Sequence, residues 1–100
     1  MSKLKLNITD RAKEDISLIT DYIAKDNKKA AKMLAEYFYR VCSNLADFPH
    51  LGTVRSDFSY KDYRFYVLKK RFIIAYRIEG NNLFISRVLS DYQDICYLLL

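Results

Sequence analysis

Apolar and polar positions follow two different rhythms along this chain. Lys3 to Ile8 alternates strictly, so Leu4, Leu6 and Ile8 share one face of a short strand. The period then lengthens. Ala12, Ile16, Ile19 and Ile23 recur at spacings of four, three and four, with Leu18 and Tyr22 widening the stripe and Lys13, Glu14, Asp15 and Asp21 on other faces. Thr9 offers an N-cap hydroxyl, and Asp10 puts a carboxylate in the first turn, where exposed N–H groups and the helix dipole favour it. This predicts an amphipathic helix of about four turns, closed near Asp26 or Asn27, either of which can cap the next helix. From Asn27 to Asp47, Ala31, Leu34, Phe38, Val41 and Leu45, with Phe48 beyond, alternate spacings of three and four. That is the pattern of a helix packed lengthwise on another, so the two form an antiparallel hairpin. Tyr37 and Tyr39 flank its seam, at the border of the core.

Pro49 cannot continue the helix and Gly52 permits a turn. Thr53 to Tyr60 is polar, with Phe58 as an anchor, and reads as a loop. The period of two then returns in three runs, Tyr63 to Leu68, Phe72 to Ile78 and Leu83 to Leu89, rich in strand-forming residues. In the first run Tyr63, Phe65 and Val67 oppose Arg64, Tyr66 and Leu68. The second has Phe72, Ile74, Tyr76 and Ile78 on one face and Ile73, Ala75 and Arg77 on the other. It is apolar enough on both to be a central strand. Alternation places Arg87 on the side of Leu83 and Ile85. Lys69-Lys70-Arg71 makes the first turn, and Glu79-Gly80-Asn81-Asn82 the second, since Gly and Asn tolerate positive φ. The fold class is therefore α+β, an N-terminal strand and a helical hairpin packed on a C-terminal antiparallel meander. Ser90 to Leu100 begins polar and ends apolar, and packing on its own domain is the expectation.

Composition narrows the possibilities. At 100 residues, 51% of them hydrophobic, the chain suits one domain, 1–100, able to bury a core without staples. Met-Ser-Lys-Leu-Lys-Leu is charged and carries no long apolar run, so neither signal peptide nor membrane span is expected, and a cytoplasmic location is. Cys42 and Cys96, the two cysteines, have no paired metal-ligand spacing and read as small hydrophobes. No metal and no cofactor is expected.

Charge changes the picture more. Between Lys61 and Arg77, six basic residues stand against Asp62 alone, which matches the +5 of the whole chain. The positive potential is centred on the meander, where Arg64, Arg77 and Arg87 also interrupt the apolar runs, and it favours an acidic or nucleic-acid partner. Lys25, Lys28, Lys29 and Lys32 crowd the hairpin tip and read as solvated. His50 is the sole histidine; without a positioned partner it reads as exposed or capping. No phosphate loop and no nucleophile–base arrangement is present.

The order strand, hairpin, meander resembles the RelE/ParE family of type II toxins over nearly the whole chain. The resemblance is carried by Ala12-x-x-Asp15-Ile16-x-x-Ile19-x-x-Tyr22-Ile23, Asn27-x-x-Ala30-Ala31, Leu45-x-x-Phe48-Pro49-x-x-Gly52, Arg64, Ile74-x-Tyr76-Arg77-Ile78 and Ile85-x-Arg87-Val88-Leu89, with Asp94 beyond. The spacing is closer to the ParE branch. RelE-like members are ribonucleases that cut messenger RNA on the ribosome with basic strand residues and a C-terminal tyrosine. If this chain were one, Arg64, Arg87 and Tyr97 would be the catalytic candidates. Tyr66, Ile73 and Asp91 stand where further cations belong, and each missing group costs such a site about two orders of magnitude in rate. ParE-like members lack that set and poison DNA gyrase, although their usual histidine after Arg-Val-Leu is Ser90 here. The resemblance thus implies a toxin that inhibits growth by binding gyrase, with the ribosome and messenger RNA as the alternative target and a non-toxic basic interaction domain as a third reading. It also implies a cognate antitoxin, a possible toxin–antitoxin hetero-oligomer and no membrane partner. Arg64, Lys69, Lys70, Arg71, Arg77 and Arg87 are the expected antitoxin- or target-binding residues.

Overall fold

Capping chemistry sets the hairpin as the sequence predicts, in a computed structural model that describes residues 4–54, 63–69 and 71–90. Helix α1 is Asp10–Ala24, and the Thr9 hydroxyl accepts the Ala12 N–H at 3.2 Å. Helix α2 is Lys28–Asp47, and Asn27 Oδ1 accepts the Ala30 N–H at 3.0 Å. Each cap satisfies an N–H that has no partner within its own helix.

Strand β1, Lys5–Ile8, precedes the hairpin; β2, Thr53–Val54, follows it; the meander comprises β3, Tyr63–Leu68, β4, Phe72–Glu79, and β5, Asn82–Leu89. The sheet order is β1-β5-β4-β3-β2, so β4 is central, as its two apolar faces require. β1 lies parallel to β5, Lys5 opposite Asn82 through Ile8 opposite Ile85. The hairpin carries the chain from β1 across to β2 at the opposite edge, and the meander brings it back to β5, the long connection that parallel pairing needs. Part of the expected loop is a strand instead. Thr53 and Val54 pair with Phe65 and Arg64. Two residues are too few for any periodicity to register, whereas pairing satisfies their backbone groups. Phe58 lies outside the described residues. Gly80 takes φ +58° in the β4–β5 turn, with nothing near where a Cβ would stand, so its role is conformational.

The core lies between sheet and hairpin. Ala12, Ile16, Phe38, Val41, Cys42 and Leu45 from the helices meet Leu68, Phe72, Ile74, Tyr76, Leu83, Ile85 and Val88 from the sheet. Phe38 and Phe72 meet edge to face, ring centres 5.2 Å apart. Phe65, Ile73, Ala75 and Leu89 form a second buried cluster, packed with Tyr63. Three expectations are corrected. Leu18 and Tyr22 are 63% and 72% exposed, because Ala12, Ile16 and their neighbours already fill the hairpin seam. Phe48, past the end of α2, is also exposed. Asp15 is buried rather than on a polar face.

A bulge corrects the alternation in β5. Ala75 faces Arg87 but Tyr76 faces Ile85, which leaves Ser86 as the extra residue. Val88 therefore joins Leu83 and Ile85 in the main core, Leu89 joins the second cluster, and Arg87 leaves the rhythm that put it with Leu83.

Candidate functional site

The expected basic residues do not form one surface. Arg87 Nε donates to Asp15 Oδ2 at 2.7 Å and Nη2 to Oδ1 at 3.1 Å, while the Val88 N–H donates to Oδ2 at 3.0 Å. β1 covers β5 only as far as Ile85. Beyond that point α1 serves the open strand edge, with the Thr9 hydroxyl donating to the carbonyl of Ile85 at 2.8 Å and Asp15 accepting from Val88. Arg87 is thus bound into the fold. The sequence carried a signal for this: Asp15 stands three residues after Ala12 and four before Ile19, which puts it at the border of the buried stripe.

Arg64 and Arg77 lie at the far end of β4, where they line a small hollow with Ile78 and Glu79. Arg64 Nη1 donates to the Gly52 carbonyl at 3.0 Å. Arg77 Nη1 is 2.7 Å from Glu79 Oε1, and its guanidinium lies 5.1 Å from the Phe84 ring centre. The Gly52 turn is tied to the centre of the sheet as well: its N–H donates to Tyr76 Oη at 2.8 Å, and the Tyr76 hydroxyl donates to the Pro49 carbonyl at 2.7 Å. Burial pushes the Tyr76 hydroxyl above its ordinary pKa, against the lowering effect of the Gly52 N–H and of the Arg64 charge.

Lys69 and Arg71 stand at the opposite end of β4. Lys69 adopts φ +51°, a left-handed conformation uncommon for a side-chain-bearing residue, and its Nζ lies 4.7 Å from the Tyr37 ring centre. Arg71 lies 5.7 Å from the Phe72 ring centre. Among the described residues neither has a carboxylate partner. With Arg40 they border a groove of about 650 Å³ that runs between the helices and the turn, floored by Ile23, Leu34 and Phe72 and flanked by the exposed Met33. A second hollow, sharing Ile23, Arg71 and Phe72, extends it to Leu18 and Tyr22. The charged lining of the groove is Arg40, Lys69 and Arg71 against Glu36. This is an apolar groove with a cationic rim, suited to an amphipathic acidic segment. The sequence held a sign of it: Leu18 and Tyr22 form their own four-residue pair, displaced from the stripe that α1 buries.

Family-model comparison matches residues 6–95 to the ParE toxin of the type II toxin–antitoxin system parDE. The chain belongs to the ParE toxin family. This ParE-family fold matches a chain of the chromosomal ParDE toxin–antitoxin system of P. aeruginosa with a TM-score of 0.75 at 19% identity, over 91% of this chain and 99% of that one. A conserved hypothetical protein of Helicobacter pylori overlaps 87% of this chain and 93% of its own at 14% identity, but its TM-score of 0.46 is too low to carry argument. No curated protein matches the sequence. Lys70 and Tyr97 lie outside the described residues, as does Cys96. Cys42 is buried among the core residues, which pushes its thiol up to about 12. Among the described residues no helix is long and apolar enough to cross a membrane, and no cluster of three His, Cys, Asp or Glu residues could hold a metal ion.

Proposed function

We propose that this ParE-family toxin is held in check by a cognate antitoxin whose acidic, amphipathic segment occupies the groove beside Lys69 and Arg71, and that once released it inhibits DNA gyrase by binding. The groove carries the reading. It combines exposed Leu18, Tyr22 and Met33 with cations that have no carboxylate partner among the described residues, so an acidic helix would bury apolar surface and neutralise charge in one step. Of the six cations expected to bind it, Lys69 and Arg71 border this groove, whereas Arg87 is committed to Asp15 and Arg64 to Gly52. The choice of gyrase follows from membership of the ParE rather than the RelE branch, together with Tyr66 and Ile73 standing where a RelE-like ribonuclease would place cations. Inhibition by occupying a surface asks only for apolar and cationic anchors, the kind that dominate interface energies.

A supercoiling assay with purified gyrase tests the target. Micromolar toxin is expected to inhibit supercoiling or trap broken DNA, and adding antitoxin to relieve it. No inhibition and no trapped breaks would overturn the gyrase assignment. Prompt arrest of translation in cells expressing the toxin alone would move the target to the ribosome.

A further inference from the structure

The tip of the helical hairpin carries more charge than the fold has use for. Lys25 closes α1, and Lys28, Lys29 and Lys32 belong to the first turns of α2; all four are exposed, and Asp26 is the one carboxylate between them in the chain. Among the described residues none of the four is paired with a carboxylate. Lys25 alone has an internal contact, its Nζ 5.7 Å from the Tyr22 ring centre. Lys28 and Lys29 also stand at the helix end where cations oppose the dipole, in a first turn that holds no acidic residue. Three of the four lysines therefore do nothing for the stability of the hairpin.

The chemistry of the tip selects the anion it would meet. Ile23, Ala30 and Met33 line the groove alongside, but the four lysines line neither that groove nor the hollow that extends it, so the tip has no apolar cleft in which an acidic helix could bury a face. Single-stranded nucleic acid is held by aromatic platforms as well as by charge. From Ile23 to Glu36 the chain has no aromatic residue, and Tyr22, just before, already lies against Lys25. A lipid surface would ask for large apolar side chains interleaved with the cations, whereas Ala30 and Ala31 are the apolar residues between Lys25 and Lys32. The backbone of a duplex asks for none of these. It presents one negative charge about every 1.7 Å of its axis, and Lys28 and Lys32 are one helical turn, about 6 Å, apart, so the tip reaches more than one phosphate in any register.

We propose that the hairpin tip is a contact for duplex DNA, in which Lys25, Lys28, Lys29 and Lys32 hold the phosphate backbone without reading its sequence. The proposal rests on the gyrase reading only for where that DNA is met: the toxin would hold both the enzyme and the duplex the enzyme carries.

Fluorescence anisotropy of a short labelled duplex of arbitrary sequence, titrated with purified toxin in the absence of gyrase, tests the contact. A dissociation constant of about 1–100 micromolar is expected near physiological salt. Lys→Gln at all four positions should raise it at least about 30-fold and flatten the dependence of log K on log salt by about 3–4. Lys5→Gln with Lys13→Gln, exposed residues at or before the start of α1, should leave that slope within about 0.5 of the parent's. All six lysines are exposed, so circular dichroism of the variants should match the parent. On the unaltered chain, amide resonances of residues 24–32 should shift as duplex is added. Absence of duplex binding at low salt, a slope no flatter in the four-lysine variant than in the Lys5 and Lys13 variant, or shifts confined to other residues would each overturn the proposal. Binding to phosphatidylglycerol vesicles through the same lysines, with none to duplex, would assign the tip to a lipid surface instead. Duplex binding that stands while gyrase is unaffected would remove the gyrase target and leave this contact in place; gyrase inhibition without duplex binding would remove this contact alone.

Discussion

Arg87 and Arg71 belong to the same meander and read alike in sequence, yet they are put to opposite uses. Arg87 is met by a carboxylate that α1 delivers to the open edge of β5, and the pair is largely removed from water, with side-chain exposures of 19% and 9%. Desolvating two charges is costly, and it is offset only where hydrogen bonds satisfy them. Asp15 accepts three, two from Arg87 and one from Val88. Arg71 and its neighbour Lys69 meet aromatic rings instead, which hold the cations without neutralising them. A cation in a strand is therefore structural or available according to what the neighbouring element brings to it, and no property of the strand itself decides.

Asp15→Ala is the strongest way to break that contrast. It would take the Asp15 acceptor from the Arg87 guanidinium and from the buried Val88 N–H, and breaking a buried pair from one side costs about 3–5 kcal/mol. Denaturant unfolding of the variant should show a loss in that range. A cycle with Arg87→Ala should show the two losses to be strongly non-additive. A loss below about 1 kcal/mol would place the Asp15–Arg87 pair with ordinary surface ion pairs.

The complementary change is Lys69→Glu with Arg71→Glu. Neither cation is tied to a carboxylate among the described residues, so unfolding free energy should shift by less than about 0.5 kcal/mol per substitution. Affinity for the antitoxin, measured by calorimetry, should fall about 30-fold or more. Unaltered affinity would remove the antitoxin from this groove, and a large loss of stability would erase the distinction from Arg87.

Elements and caps were legible in the sequence because each is a local device. Thr9, Asn27, Pro49 and Gly80 act within a few residues of themselves, and two clean periods separate helix from strand. The partners of polar groups were less legible, since they are set by contacts between distant segments: Asp15 with Arg87, Tyr76 with Gly52, and β1 with β5. The bulge at Ser86 removed the alternation on which the placement of Arg87 relied. Of the expected site, Lys69 and Arg71 stand exposed in a cationic groove. Leu18 and Tyr22 read as part of the buried stripe in sequence because a stripe shows which residues are apolar, but not how much of it the partner helix will cover.

Tyr76 extends the comparison to a neutral group that is as fully engaged as Arg87. A Cβ on Gly52 would stand 2.5 Å from Tyr76 Oη, so Gly52→Ala should force the Tyr76 ring away and cost about 1–3 kcal/mol, the usual range for overpacking. Tyr76→Phe keeps the ring, loses the hydrogen bond to Pro49 and leaves the Gly52 N–H without its acceptor, so a cost of about 1–2 kcal/mol is expected. Chemical unfolding of both variants checks the order. If Tyr76→Phe proved the costlier, the hydroxyl network rather than the close approach would be what holds the Gly52 turn.

The smallest effect is the difference in pH dependence between the parent and Tyr76→Phe. Burial raises the Tyr76 hydroxyl above its ordinary 10.0, so the folded chain holds that proton more tightly than the unfolded one. The resulting stabilisation is complete below pH 10 and is lost as pH climbs through the raised value. Cys42 adds a similar decline that begins nearer 9.0 and ends near 12. The parent should therefore lose stability steadily above pH 9. Tyr76→Phe, though less stable throughout, should show a shallower loss above pH 10, because one of the two protons is no longer there to lose. Guanidinium unfolding at pH 8, 10 and 11 reads the difference directly. Parallel curves for parent and variant would mean that the Tyr76 hydroxyl ionises as easily in the folded chain as in the unfolded one, and that the buried hydroxyl, unlike the Asp15–Arg87 pair, is not held by its surroundings.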